Sequence, residues 1–137
     1  MGNTRMIVAV SVVVVRAGRV LAMKRAATKD AGAGAWEVVS GRVEAGEDPA
    51  SAALREVHEE TGLEVTLHPR PVDTYAAMRG SEPMVVIVFR ADAADGASDV
   101  RLSAEHDAFA WSTPEEARAL TPFSRLRDAI DRAVAAG

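Results

Sequence analysis

Residues 41–63 read Gly-Arg-Val-Glu-Ala-Gly-Glu-Asp-Pro-Ala-Ser-Ala-Ala-Leu-Arg-Glu-Val-His-Glu-Glu-Thr-Gly-Leu. The spacing predicts a helix over 48–61. Asp48 is suited to accept bonds from the first free amides, and Pro49 suits the first helical position, where its missing N–H is not needed. Gly62 ends the helix in a left-handed conformation that glycine adopts without strain. Ala50, Ala53, Leu54 and Val57 follow the 3.6-residue period and are expected to face a core. Glu56, Glu59 and Glu60 stand at i, i+3 and i+4, so their carboxylates share a neighbouring face. Like charges at that spacing repel by a few tenths of a kcal/mol per pair. They also lie at the helix end where the dipole disfavours anions. A solvated acidic face is one reading. A hard divalent cation that relieves the repulsion is the other, and Mg²⁺, with oxygen ligands and retained waters, fits it.

Charge outside this window supports the second reading. Residues 41–63 hold six acids and two bases, while the other 114 residues balance to zero, so the whole net charge of −4 sits here. That charge argues against a protein that coats nucleic acid, which would be basic. The 137 residues suit a single domain spanning 1–137, able to bury roughly two-thirds of its unfolded surface. With no cysteine there is neither a disulfide framework nor a thiolate metal site, and a cytoplasmic location is expected. Met6–Val15 is apolar but too short to span a bilayer. Its Val and Ile content marks a central strand. Met1-Gly2 lacks Ser or Thr at position 6, so myristoylation is unsupported. No membrane association is expected.

The remaining chain alternates short strands with turns. Strands are expected at 6–15 and 19–25 around Ala17-Gly18, and at Trp36–Val39 running into a Ser40-Gly41 loop. Others are expected at 64–67, 72–79, 83–91 and Phe109–Trp111. Residues 26–35, with Lys29 and Asp30, and residues 92–104 read as loops. Thr113-Pro114-Glu115-Glu116 opens a short helix. A last helix starts at Thr121-Pro122 and carries Phe123, Leu126, Ile130 and Val134 on one face.

Gly41, Glu47 and the run Arg55-Glu56-Val57-His58-Glu59-Glu60-Thr61-Gly62-Leu63 together resemble the complete Nudix box of the Nudix hydrolase (MutT-like) family. From average residue frequencies, a chance match in a chain of this length is on the order of one in ten million. The resemblance implies an α/β Nudix fold, a mixed β-sheet sandwiched between α-helices. It also implies a metal-dependent hydrolase cleaving the pyrophosphate of a nucleoside diphosphate linked to another moiety, a small nucleotide such as a nucleoside triphosphate. By the same resemblance Gly41 (through its carbonyl), Glu56, Glu59 and Glu60 hold Mg²⁺, with Mn²⁺ as a substitute. Arg55 orients Glu56, and Glu47 pairs with Arg55. Where family members often have Pro-Gly-Gly before the box, this chain has Val39-Ser40-Gly41, so the loop is expected to follow a different path.

Beyond the box, Glu105 is the candidate acid that completes the metal site or takes a proton from water, and the general base is either Glu56 or Glu105. Asp107 is the alternative acid. His106 reads as a loop histidine that contacts phosphate or has no specific role. Lys24 and Arg25, at a strand end, bind phosphate or are simply solvated. Tyr75, Met78 and Phe89 line a base pocket or pack in the core, and Trp36 anchors the core. A catalytically silent nucleotide-binding module is the alternative function, although silent members lose box residues that this chain keeps. No Asp-rich twelve-residue loop supports a calcium site. The partner expected is a small nucleotide, not a nucleic-acid polymer; a homodimer stays open.

Overall fold

The computed structural model describes residues 5–29, 32–96 and 99–137; Met1-Gly2 and Asp30 lie outside them. Eight strands and three helices follow in the order β1 (Ile7–Arg16), β2 (Arg19–Arg25), β3 (Trp36–Glu37), β4 (Val39–Arg42), α1 (Pro49–Thr61), β5 (Thr66–Leu67), β6 (Asp73–Arg79), β7 (Glu82–Asp92), β8 (His106–Ser112), α2 (Pro114–Leu120) and α3 (Ser124–Ala135). All eight strands join one mixed sheet. Strand β1 runs parallel to β7 and antiparallel to β2 and β4. On the outer sides, β6 and β5 pair with β7, while β8 and β3 pair with β2.

The period-two alternation of β1 divides its valines between two cores. Val10, Val12 and Val14 join Leu21, Met23, Val39, Phe89 and the α1 residues Ala52, Ala53 and Val57. Val13 and Val15 join Val20, Val86 and Val88 beneath Ala117 of α2 and Leu126, Ala129, Ile130 and Ala133 of α3. The sheet is thus buried on both faces between helices, which is why β1 is a continuous apolar run. Each fully buried Val or Leu contributes roughly 1.5–3 kcal/mol. None of the described helices is long and apolar enough to cross a membrane.

Several local expectations change. Asp48 sits at the helix start without a side-chain cap; its carbonyl accepts from the Ala52 amide at 3.0 Å. Leu54 is 43% exposed rather than in the core. The buried positions of α1 are Ala52, Ala53, Glu56, Val57, Glu60 and Thr61, so two glutamates occupy places that an apolar stripe would have claimed. Ser40 and Gly41 are strand, paired with Ser11 and Val10. Strand β8 begins at His106, three residues before the predicted start. Its last partner on β2 is Arg25, beyond a register shift after Lys24. Phe123 precedes α3 and is exposed, while Leu126 and Ile130 are buried as the spacing predicts.

Candidate active site

Arg55 joins the first turns beyond β4 to the acidic end of α1. Its Nε and Nη2 donate to the two Glu47 oxygens at 2.8 and 2.9 Å. Nη2 also donates to the Arg42 carbonyl at 3.0 Å, and Nη1 to Glu56 Oε1 at 2.7 Å and Glu59 Oε2 at 3.3 Å. Such a forked, charge-assisted pairing fixes orientation as well as position. The Arg55 hydrogen bonds, helped by the Glu44 amide, hold the Glu47 carboxyl at about 2. Glu47 in turn raises the guanidinium of Arg55.

Gly41 faces Glu56 at a distance that no other residue permits. A Cβ at position 41 would stand 2.1 Å from Glu56 Cδ and within 2.5 Å of both carboxylate oxygens. Its φ is not in the left-handed region, so room rather than backbone freedom requires the glycine. At the other end of the helix, Gly62 takes φ +73° and its amide donates to the His58 carbonyl at 2.9 Å. That closing turn sets Glu59 and Glu60 in place.

Glu60 is 2% exposed, and both of its carboxylate oxygens lack a hydrogen-bond partner. Burial foremost, then the neighbouring Glu56 carboxylate, pushes it up to about 10. Glu59 by contrast is more than half exposed. A buried carboxylate with no donor is a costly state. A divalent cation is the partner that this donor set fits, with Glu60 buried, Glu56 beside it and Glu59 at the rim.

The opposite wall comes from β8 and β3. His106 is buried, its Nε2 lies 2.9 Å from Glu37 Oε2, and its Nδ1 has no hydrogen-bond partner. Glu37 also accepts from Arg25 at 3.2 Å. Glu105 is exposed and pairs with Lys29 at 3.1 Å. Asp107 instead accepts from the Ala27 amide at 3.0 Å, which occupies it in holding the loop after β2. His106 is therefore a buried strand residue, correcting the loop reading. Glu37 was not anticipated; its signal was an acid inside the apolar run Trp36–Val39.

A cleft of about 700 Å³ opens beside Gly41, and Arg25, Arg42, Ser40, Tyr75, Met78 and Phe123 are among its walls. The start of α3, Ser124 to Leu126, walls it on one side, with residues of β1, β4, β6 and β7 on the others. Across that floor Arg42 pairs with Ala9, Ala9 with Val86 and Val86 with Tyr75. Arg125 lies over the Tyr75 ring at 5.0 Å, an attractive placement of cation on aromatic face. Phe89 is 2% exposed in the core under α1, so packing is its role. Lys24 pairs with Trp36 and Ala108 and is not among the cleft's lining residues. Trp36 is half-buried and belongs to neither core, lining instead a small gap with Ala117 and Ile130 at the α2–α3 face, so it does not anchor the core as expected.

A sequence model of the NUDIX domain matches residues 5–133. An octanoyltransferase of Myxococcus xanthus is 42% identical over 74% of this chain, a stretch that spans 29% of that protein. The CTP pyrophosphohydrolase of Escherichia coli (strain K12) is 34% identical over 82% of this chain and 80% of its own length. The solved structure of a C. elegans Ap4A hydrolase binary complex superposes with a TM-score of 0.83 at 25% identity, covering 95% of this chain and 96% of that one.

Proposed function

Because this chain belongs to the NUDIX domain family, we propose that it is a divalent-cation-dependent pyrophosphohydrolase of a small nucleotide. It would cut the diphosphate of a nucleoside diphosphate linked to a further group, with a nucleoside triphosphate as the simplest case. Relatives named for CTP and Ap4A support that substrate class. The observation that carries the reading is Glu60, whose two buried oxygens have no donor while Glu56 crowds them. An oxygen-seeking ion relieves both conditions.

Mg²⁺, or Mn²⁺ in its place, would be held by Glu56, Glu59 and Glu60 with the Gly41 carbonyl. When bound it supplies charge neutralisation on the phosphate oxygens and an acidified, oriented water. Every other contribution comes from the chain. Arg55 keeps Glu56 turned toward Gly41, and Glu47 keeps Arg55 in place. Arg25 and Arg42, which line the cleft, offer guanidinium forks to phosphate oxygens. Tyr75, Met78 and Phe123 provide the apolar surface for a base. Glu105, on the β8 side, stands opposite the helix and either completes the cation's ligands or receives the proton of the attacking water.

Incubation with a nucleotide panel and Mg²⁺, with both products identified, tests this reading. The expected result is release of a nucleoside monophosphate with the remaining phosphate-bearing fragment from at least one substrate. Binding without turnover across the panel would instead establish a silent module. In the active case Glu105→Gln is expected to lower kcat more than it weakens nucleotide binding. Wild-type kcat in that variant with an inactive Asp107→Asn would move the role to Asp107, and wild-type kcat in both would leave Glu56 as the proton acceptor.

A further inference from the structure

His106 has two ring nitrogens in different surroundings. Nε2 lies 2.9 Å from Glu37 Oε2, and an ionised carboxylate only accepts, so Nε2 carries the hydrogen. With the ring neutral, Nδ1 is then the nitrogen that presents a lone pair. It has no hydrogen-bond partner, although the ring is 2% exposed. Its nearest oxygen across the site is Glu60 Oε1 at 3.9 Å, too far for a hydrogen bond. Glu60 has no partner on either oxygen. Two buried, unsatisfied ligand atoms thus face one another at a separation that two bonds of about 2.1 Å to a shared ion span. Ligand atoms, one each from Glu60, Glu105 and His106, lie within 4.8 Å of one another.

We propose that Glu60, Glu105 and His106 form a mixed nitrogen–oxygen site for a first-row transition-metal ion, bound through His106 Nδ1, with Glu37 as the residue that positions the ring. A metal-bound histidine almost always donates its other N–H to a carboxylate, and Glu37 stands where that carboxylate belongs. Exposed Glu105 reaches the ion by leaving Lys29. An imidazole in the set changes which ion is favoured. All-oxygen sites suit Mg²⁺ and Mn²⁺, whereas an imidazole nitrogen suits Fe²⁺, Ni²⁺, Cu²⁺ and Zn²⁺. The chain is thereby biased toward transition metals at the inner end of its acidic helix. The inference rests on the cation requirement proposed above, but it needs no turnover to be examined.

The experiment loads the intact protein with Mn²⁺ alone and records electron spin echo modulation from ¹⁴N. Modulation is expected in the wild type. It is expected to persist in His58→Gln/His68→Gln, where His106 is the remaining histidine of the three. It should vanish in His106→Gln, with Mn²⁺ affinity falling by at least the ~10–100-fold that loss of an outer-shell partner costs and Mg²⁺ affinity changing far less. If His106→Gln does not fold, the double variant decides the matter. Mn²⁺ that binds without ¹⁴N modulation in the double variant overturns the nitrogen site alone. Absence of Mn²⁺ binding to the wild type overturns both this site and the cation-dependent reading.

Discussion

At Gly41 a hydrogen atom in place of a methyl group decides where Glu56 can sit. Gly41→Ala would put a Cβ 2.1 Å from Glu56 Cδ, and the atom that must yield is the end of a flexible side chain. The fold is therefore expected to survive with a cooperative melt. Turnover should fall at least ~10-fold, because displacement of a catalytic group by about 1 Å costs up to about 10²-fold. Unchanged kcat would show that the Glu56 position is immaterial. Glu47 makes a different kind of contribution. Its carboxyl is held at about 2 against an ordinary 4.5, so the folded state favours the ionised form. The resulting stability is complete above pH 4.5 and is lost as pH falls toward 2. Glu47→Gln should flatten that acid limb in urea-midpoint measurements between pH 4.5 and 2; a limb as steep as the wild type's would remove Glu47 from the account.

Among the elements, α1 shows what a sequence reveals and what it conceals. Its bounds were legible because Pro49 and Gly62 are local signals tied to backbone geometry. Its rotation was legible in part: Ala53 and Val57 are buried as the period predicts, but hydrophobicity alone places Leu54 inside as well. The helix instead turns Glu56 and Glu60 inward and leaves Leu54 exposed, an orientation that makes sense once the carboxylates have an ion to face. Leu54→Gln should then change stability by less than ~0.5 kcal/mol. Ala53→Leu, which overfills a fully buried position, should cost about 1–3 kcal/mol. Chemical denaturation distinguishes them, and equal costs would contradict the observed rotation. Strand β8 was half legible. Phe109–Trp111 has strand character, whereas Glu105-His106-Asp107 reads as a polar loop. His106 joins the strand only through a long-range pairing past the irregularity between Lys24 and Arg25.

At the scale of the whole molecule, the sheet between two helical layers was legible from the doubly buried run of β1 and from the resemblance carried by residues 41–63. The cleft was not, since its floor is a row contributed by four strands, from Arg42 through Ala9 and Val86 to Tyr75. Glu37 and its pairing with His106 escaped for the same reason: the two lie 69 residues apart and meet only in the folded sheet. The architecture brings the acidic end of α1 and buried His106 together at Glu60, while the arginine-bearing cleft opens beside Gly41 with Val86 and Tyr75 of the α3-packed face in its walls. The proposal that the inward glutamates of α1 carry the hydrolysis is tested most directly by kcat of Glu56→Gln against wild type with saturating Mg²⁺ and nucleotide. A fall of at least ~10²-fold is expected, with a cooperative melt retained in the absence of metal. A kcat equal to that of the wild type would contradict it.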